Sequence, residues 1–135
     1  MSQQDTQFYV SIKGVIIVDG GVLLLRKLNG EWDLPGGRLS IDESPKLCLI
    51  REVKEETSLS IIPGKLLHRW VRPRPGNVDV FVVSHLCGLE NSSGAASLSH
   101  EHDKLGWFTM QEFEAMPISN GVRKSVRRAF RSLQS

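Results

Sequence analysis

The chain has 135 residues, 40% of them hydrophobic and 24% charged, with a formal net charge of +2. That length predicts a single domain, residues 1–135, with one core, and the near balance of charge excludes a protein that is basic overall and coats nucleic acid. The opening MSQQDTQFYV has no basic run leading into an apolar stretch, and no segment approaches the roughly 20 apolar residues a bilayer demands, so no signal peptide, no membrane partner and a cytoplasmic location are expected.

Residues 8–18 (FYVSIKGVIIV) and 22–27 (VLLLRK) are rich in β-branched and large apolar side chains, and Asp19-Gly20-Gly21 between them is a turn, so the pair predicts a hairpin. Asn29-Gly30 marks a second turn, and Pro35-Gly36-Gly37 breaks regular structure again in a sharply bent loop. Ser44-Pro45 reads as a helix start, because serine caps free N–H groups and proline fits the first helical position. That helix runs to about Ser58.

Residues 61–72 and 78–87 predict two more strands joined by the turn PRPGN, and 105–110 (LGWFTM) a shorter one. Residues 121–133 predict a helix with Val122, Val126, Ala129, Phe130 and Leu133 along one stripe. Cys48 and Cys87 lack any CxxC or Cys/His spacing and are expected to be buried thiols, in neither a disulfide nor a zinc site. The order hairpin, helix, strands, helix predicts an α/β fold with a mixed β-sheet between helices.

The helix at 45–58 carries an oddity. Glu52, Glu55 and Glu56 stand at spacings of three and four residues, inside about a third of the helix circumference. Like charges on neighbouring turns repel. The bland alternative is a solvated face balanced by Lys46, Arg51 and Lys54. Against it stands the Gly-Gly bend in front of the helix, which can expose backbone groups beside carboxylates of the kind that hold hard divalent cations.

From Gly37 onward, GRLSIDESPKLCLIREVKEETSL resembles the box of the Nudix family: Gly, five residues, Glu, seven residues, then Arg-Glu-apolar-x-Glu-Glu-x-Gly-apolar. Gly37, Glu43, Arg51, Glu52, Val53, Glu55, Glu56 and Leu59 fit it; Ser58 stands where the family has Gly. The preceding EWDLPGG and the later HEHDKLGWF are similar to family stretches as well. The resemblance implies the Nudix-type α/β/α sandwich and a hydrolase that cleaves the diphosphate linkage of a nucleoside diphosphate derivative. Mg2+ is the implied cofactor, and oxygen ligands accept Mn2+ too.

Carried over by motif position, Glu55 and Glu56 are implied metal ligands, with the Gly36 carbonyl as a further one. Glu52 is either a ligand or the catalytic base. Gly37, Glu43 and Arg51 are structural members of the motif, Arg51 orienting Glu55 or reaching back to Glu43. Glu101, six residues before Trp107, matches the added carboxylate of MutT-like members, with His100, His102 and Asp103 beside it. A left-handed helix end strains a residue with a Cβ by about 1 kcal/mol, so Ser58 is expected to distort the end slightly and leave the chemistry intact.

The substrate is less legible. Arg69, Arg72 and Arg74 are candidates for phosphate, since guanidinium matches phosphate oxygens in a fork; a solvated sheet edge is the alternative. Phe8, Tyr9, Trp70 and Phe81 are candidates to stack on a base, or are core. Nucleoside triphosphates and ADP-ribose or nucleotide sugars are the leading substrates. The Tyr expected downstream in dinucleoside polyphosphate hydrolases is absent, Tyr9 being the only Tyr, and Pro73 and Pro75 point weakly to ADP-ribose.

Two other functional classes stay open. Arg123, Lys124, Arg127, Arg128 and Arg131 lie opposite the apolar stripe of the last helix, where they form either a solvated face or an RNA-binding surface, for binding alone or for acting on RNA ends. A nucleotide-binding regulator that does not hydrolyse is disfavoured by the intact glutamates. Leu47 and Ile50, apolar and away from the acids, pack internally or against a second copy, which leaves a homodimer open.

Overall fold

In the computed structural model, which describes residues 5–90 and 96–134, alternation along the first two strands sets the layers. Strand β1 (Tyr9–Val18) sends Ile12 and Ile16 to one side of the sheet and Val15 to the other. Strand β2 (Gly21–Lys27) likewise divides Leu23 and Leu25 from Val22 and Leu24. A strand apolar on both faces must be covered on both. Here α1 (Pro45–Thr57) covers the first face through Cys48, Leu49 and Val53, while α2 (Met110–Glu114) and α3 (Asn120–Ser132) cover the second through Phe113, Val122, Val126 and Ala129. This is the α/β sandwich with a mixed sheet.

The sheet runs β3-β2-β1-β6-β5, where β3 is Trp32–Asp33, β5 is Ile61–Arg72 and β6 is Val80–Leu89. A short strand, β4 (Gly36–Arg38), also pairs with β1, and β7 (His102–Thr109) pairs with β2. The β1–β6 ladder is parallel and the others antiparallel. Among the described residues, no helix is long and apolar enough to cross a membrane.

The expected hairpin is only partly one. Asp19 and Gly20 both have positive φ, 51° and 80°, as a tight hairpin turn demands, but β1 and β2 pair only at Ile17–Val22 and Val18–Gly21. Beyond those pairs the strands part, β1 toward β4 and β6 and β2 toward β3 and β7.

Pro35-Gly36-Gly37, expected as a bent loop, instead leads into β4, with Ile12 opposite Gly37 and Lys13 opposite Gly36. The glycines are what permit this strand. Gly36 has φ 136°, and a Cβ there would run into the Ile12 carbonyl.

Other boundaries moved slightly. The strand expected at 105–110 begins earlier, at His102, and gives way to helix at Met110. Thr109 and Glu112 form a reciprocal capping box there, the T-x-x-E pattern of a helix start. Leu133, placed on the buried stripe of the last helix, lies past its end and is exposed. Cys48 and Cys87 are buried free thiols, as expected, and burial pushes both up to about 12.

Replacing Gly36 by Ala would force a Cβ against β1 backbone in a left-handed conformation. Thermal melts are expected to show a loss of more than about 2 kcal/mol, well above that of an exposed Gly→Ala change.

Candidate active site

Helix α1 starts where the sequence predicts. The Ser44 side chain accepts from the Leu47 N–H, and Pro45 occupies the first turn. The apolar residues Leu49 and Val53 fix its rotation, and that rotation turns Glu52, Glu55 and Glu56 toward β4 and the solvent margin.

Each acid has a distinct environment. Glu56 is buried, and its Oε1 accepts the Gly36 N–H at 2.7 Å. Burial pushes its carboxyl up to about 7, with Glu52 and Glu101 adding to the rise and the Gly36 N–H and Lys13 opposing it. Glu52 is half-buried against Gly37, where a Cβ would meet its carboxylate; this is a physical reason for glycine at that position. Glu55 is exposed.

Arg51 ties this face together, and both of its expected contacts occur. Its guanidinium grips Glu43 in a fork, Nε to Oε2 at 3.0 Å and Nη2 to Oε1 at 2.6 Å. Its Nη1 donates to Glu52 Oε1 at 3.0 Å and reaches Glu55 at 3.4 Å. The fork holds the Glu43 carboxyl down at about 2, helped by the Ser40 N–H.

The helix ends at Ser58 with φ 64°, the left-handed conformation that the family glycine would supply, and its N–H donates to the Lys54 carbonyl. The expected distortion is absent: serine adopts the glycine conformation.

Glu101 lies in the turn before β7, exposed and close enough for its charge to act on Glu56 and His102. His102 is a residue whose position the sequence did not single out. Burial holds its imidazole below the ordinary range, with Lys13 adding to the effect. Its Nε2 is 3.9 Å from Glu56 Oε2, too long for a hydrogen bond, and its buried Nδ1 has no hydrogen-bond partner among the described residues. Asp103 faces away and is gripped by Arg26 at 2.7 and 2.9 Å.

Where β1 and β2 part, a cavity of about 380 Å3 opens, lined among others by Lys13, Trp32, Asp33, Trp70, Arg72 and Val122. Asp33 bridges Lys13 at 3.2 Å and Lys27 at 3.3 Å. Burial pushes its carboxyl up, yet the two lysines and the Leu34 N–H outweigh this and hold it below the ordinary range. Lys13 therefore serves both regions, lining the cavity and acting on Glu56. Its sequence signal was a lone cation inside the apolar strand FYVSIKGVIIV.

Of the three candidate arginines only Arg72 lines the cavity; Arg69 is exposed outside it, and the Arg74 guanidinium sits 5.8 Å from the Tyr9 ring. Trp70 is likewise the one candidate aromatic at the cavity, backed by the stacked His68 ring at 5.2 Å. Phe8 and Phe81 contact each other, and Arg38 covers Tyr9 at 3.8 Å.

On the last helix, Arg127 forks onto Glu114 at 2.9 and 2.6 Å. Arg123 donates to the Glu114 and Met116 carbonyls, and Arg128 to the Leu67 carbonyl. Three of the five cations read as an RNA surface thus have partners inside the chain. Ile50 packs on the core and Leu47 is exposed.

Among the described residues no three His, Cys, Asp or Glu side chains already stand at metal-ligand spacing. The donor chemistry nevertheless suits a hard divalent cation. It consists of oxygens alone, and Glu56 is a buried carboxylate whose rise the charges of Glu52 and Glu101 add to.

The chain is similar to known proteins over most of its length. The family described as NUDIX domain matches residues 9–129. A MutT-like protein of Streptomyces ambofaciens is 33% identical over 105 residues, 76% of this chain and 65% of that protein, so the chain spans less than two thirds of that relative. The CTP pyrophosphohydrolase of Escherichia coli K12 is 26% identical over 113 residues, 80% of this chain and 81% of its own. The crystal structure of a MutT protein from Methanosarcina mazei Go1 matches with a TM-score of 0.79 at 26% identity, over 98% of this chain and 100% of that one.

The depressed Glu43 carboxyl has a signed consequence. Its stabilisation is fully present above the ordinary value of 4.5 and is lost as pH falls toward about 2. In melts from pH 6 down to 2.5, the Tm gap between the wild type and Glu43→Gln is expected to be constant at the upper end and to close below pH 4.5. Arg51→Ala, which leaves three carboxylates without their shared cation, is expected to lower Tm more than Glu43→Gln does at pH 7.

Proposed function

Because this chain belongs to the Nudix family, we propose that it is a divalent-cation-dependent hydrolase that cleaves the diphosphate linkage of a nucleoside diphosphate derivative. The single observation carrying this reading is the acid face of α1, bound through Glu56 to the Gly36 amide, three residues along the chain from Asp33 in the cavity wall. On this reading the acid face takes the charged diphosphate and the cavity takes the attached nucleoside.

Glu52, Glu55 and Glu56 would hold the cation, Mg2+ or Mn2+, with the Gly36 carbonyl as a further donor. Bound there, it supplies neutralisation of phosphate charge and acidification of coordinated water. The chain's own groups do the remainder. Arg51 sets the side-chain orientations of Glu52 and Glu55. Lys13 and Arg72 offer cations to phosphate oxygens at the cavity wall. The indoles of Trp32 and Trp70 give the cavity apolar surface against which a base packs. Glu52 and Glu101 are the two carboxylates that would accept a proton from the attacking water.

Nucleoside triphosphates and ADP-ribose or nucleotide sugars are the substrates of choice to test. The similarity to a CTP pyrophosphohydrolase over most of both chains supports the first, and a cavity of about 380 Å3 is of the size small-molecule sites have.

The test is phosphate release, coupled to inorganic pyrophosphatase and phosphatase, over a panel of nucleoside triphosphates, ADP-ribose and nucleotide sugars with Mg2+ or Mn2+. Hydrolysis of one class is expected, lowered about 100-fold or more in Glu55→Gln and on the order of 100-fold in Glu101→Gln. Silence on every compound with either metal would sink the proposal, and full turnover by Glu101→Gln would remove that residue from it.

A further inference from the structure

Ser58 is a serine in a backbone conformation that glycine takes without strain, with φ 64° at the end of α1. What the side chain adds is visible in its partner. Its hydroxyl lies 2.8 Å from the Ser97 hydroxyl. The same end of the helix receives two backbone donors from the same segment, the Ser97 N–H to the Thr57 carbonyl at 2.9 Å and the Ser99 N–H to the Glu56 carbonyl at 3.1 Å. Ala96 packs against the core beneath α1, and the Ser99 hydroxyl is buried.

The far side of this segment is anchored as well. Arg26 of β2 forks onto Asp103 at 2.7 and 2.9 Å. Between the two anchors lie Glu101, exposed in a turn closed by the His102 N–H and the Ser99 carbonyl at 3.4 Å, and His102, whose Nε2 is 3.9 Å from Glu56 Oε2.

We propose that Ser58 is a positioning residue: its hydroxyl fastens the 96–99 segment to the helix end and so fixes Glu101 relative to Glu56. The role rests on the hydrolase reading above. It also gives a physical account of why this chain carries serine, at a conformational cost, where the family motif has glycine. The bond is exposed to water, so its loss is worth the modest amount of one net hydrogen bond, roughly fivefold in rate.

Three variants separate positioning from plain structural support: Ser58→Gly, Ser97→Ala and the double. Each is measured for Tm, for kcat and KM on whichever panel substrate is hydrolysed, and for hydrogen exchange at the Ser97 and Ser99 amides. In Ser58→Gly the backbone strain is relieved, so Tm is expected to hold or rise while kcat falls roughly fivefold at constant KM and both amides exchange faster. Ser97→Ala is expected to show the same fall in kcat, and the double variant no further fall, since one bond is removed in all three. A kcat that falls only in step with Tm, or that holds while exchange quickens, overturns the positioning role. Unchanged exchange in both single variants overturns the tether itself, whatever the turnover. A wild-type protein silent on the whole panel, with exchange quickened as expected, would sink the hydrolase reading instead and with it the role for Glu101, leaving the tether as a structural contact.

Discussion

One guanidinium, that of Arg51, touches Glu43, Glu52 and Glu55 at once, and this sharing lets a short helix carry so much like charge. Repulsion between adjacent turns would otherwise work against the helix. The fork onto Glu43 immobilises the guanidinium from outside the helix, so the end facing Glu52 and Glu55 is held in place before any ligand arrives. Glu56 is excluded from the sharing. It is buried, its Oε1 accepts the Gly36 N–H, and Lys13 is the cation whose charge acts on it.

That arrangement in turn depends on two glycines. Gly36 turns its N–H to Glu56 in a conformation closed to other residues, and Gly37 leaves the room that Glu52 fills. Cys48 adds a weaker tie, its thiol lying 3.5 Å from the Arg38 carbonyl. Strand β4 is thus fitted to α1 on one side and to β1 on the other. Trp32 and Asp33, a few residues ahead of it, line the cavity, so the acid face and the cavity share one stretch of chain.

Much of this was legible in the sequence because it is local. The helix cap at Ser44, the spacing of the three glutamates and the turn at Asp19-Gly20 each depend on neighbours in the chain, and each took its expected form. The links that needed a third dimension were not legible. Nothing in the local pattern says that β1 and β2 separate after two pairs, because their apolar residues suit a full hairpin equally well. Lys13 and His102 draw their surroundings from strands distant in sequence. Arg69 and Arg72 looked equivalent by composition, and the cavity takes only Arg72. The basic stripe of the last helix is real, but Glu114 and the Leu67 carbonyl, both outside it, take up several of its cations.

The parallel ladder between β1 and β6 has a bearing on how this molecule is made. It joins Tyr9 to Val80 and Ile16 to Cys87, so about half of the chain must be looped out before the centre of the sheet can close. Such distant pairings are entropically costly until the contacts that reward them exist, and they slow folding relative to helical or hairpin nuclei. The β5–β6 hairpin and α1 are the local elements able to form ahead of it. During synthesis β1 leaves the ribosome long before β6, and its apolar edge waits unpaired for most of that time, a stage at which strand edges are open to association with other chains.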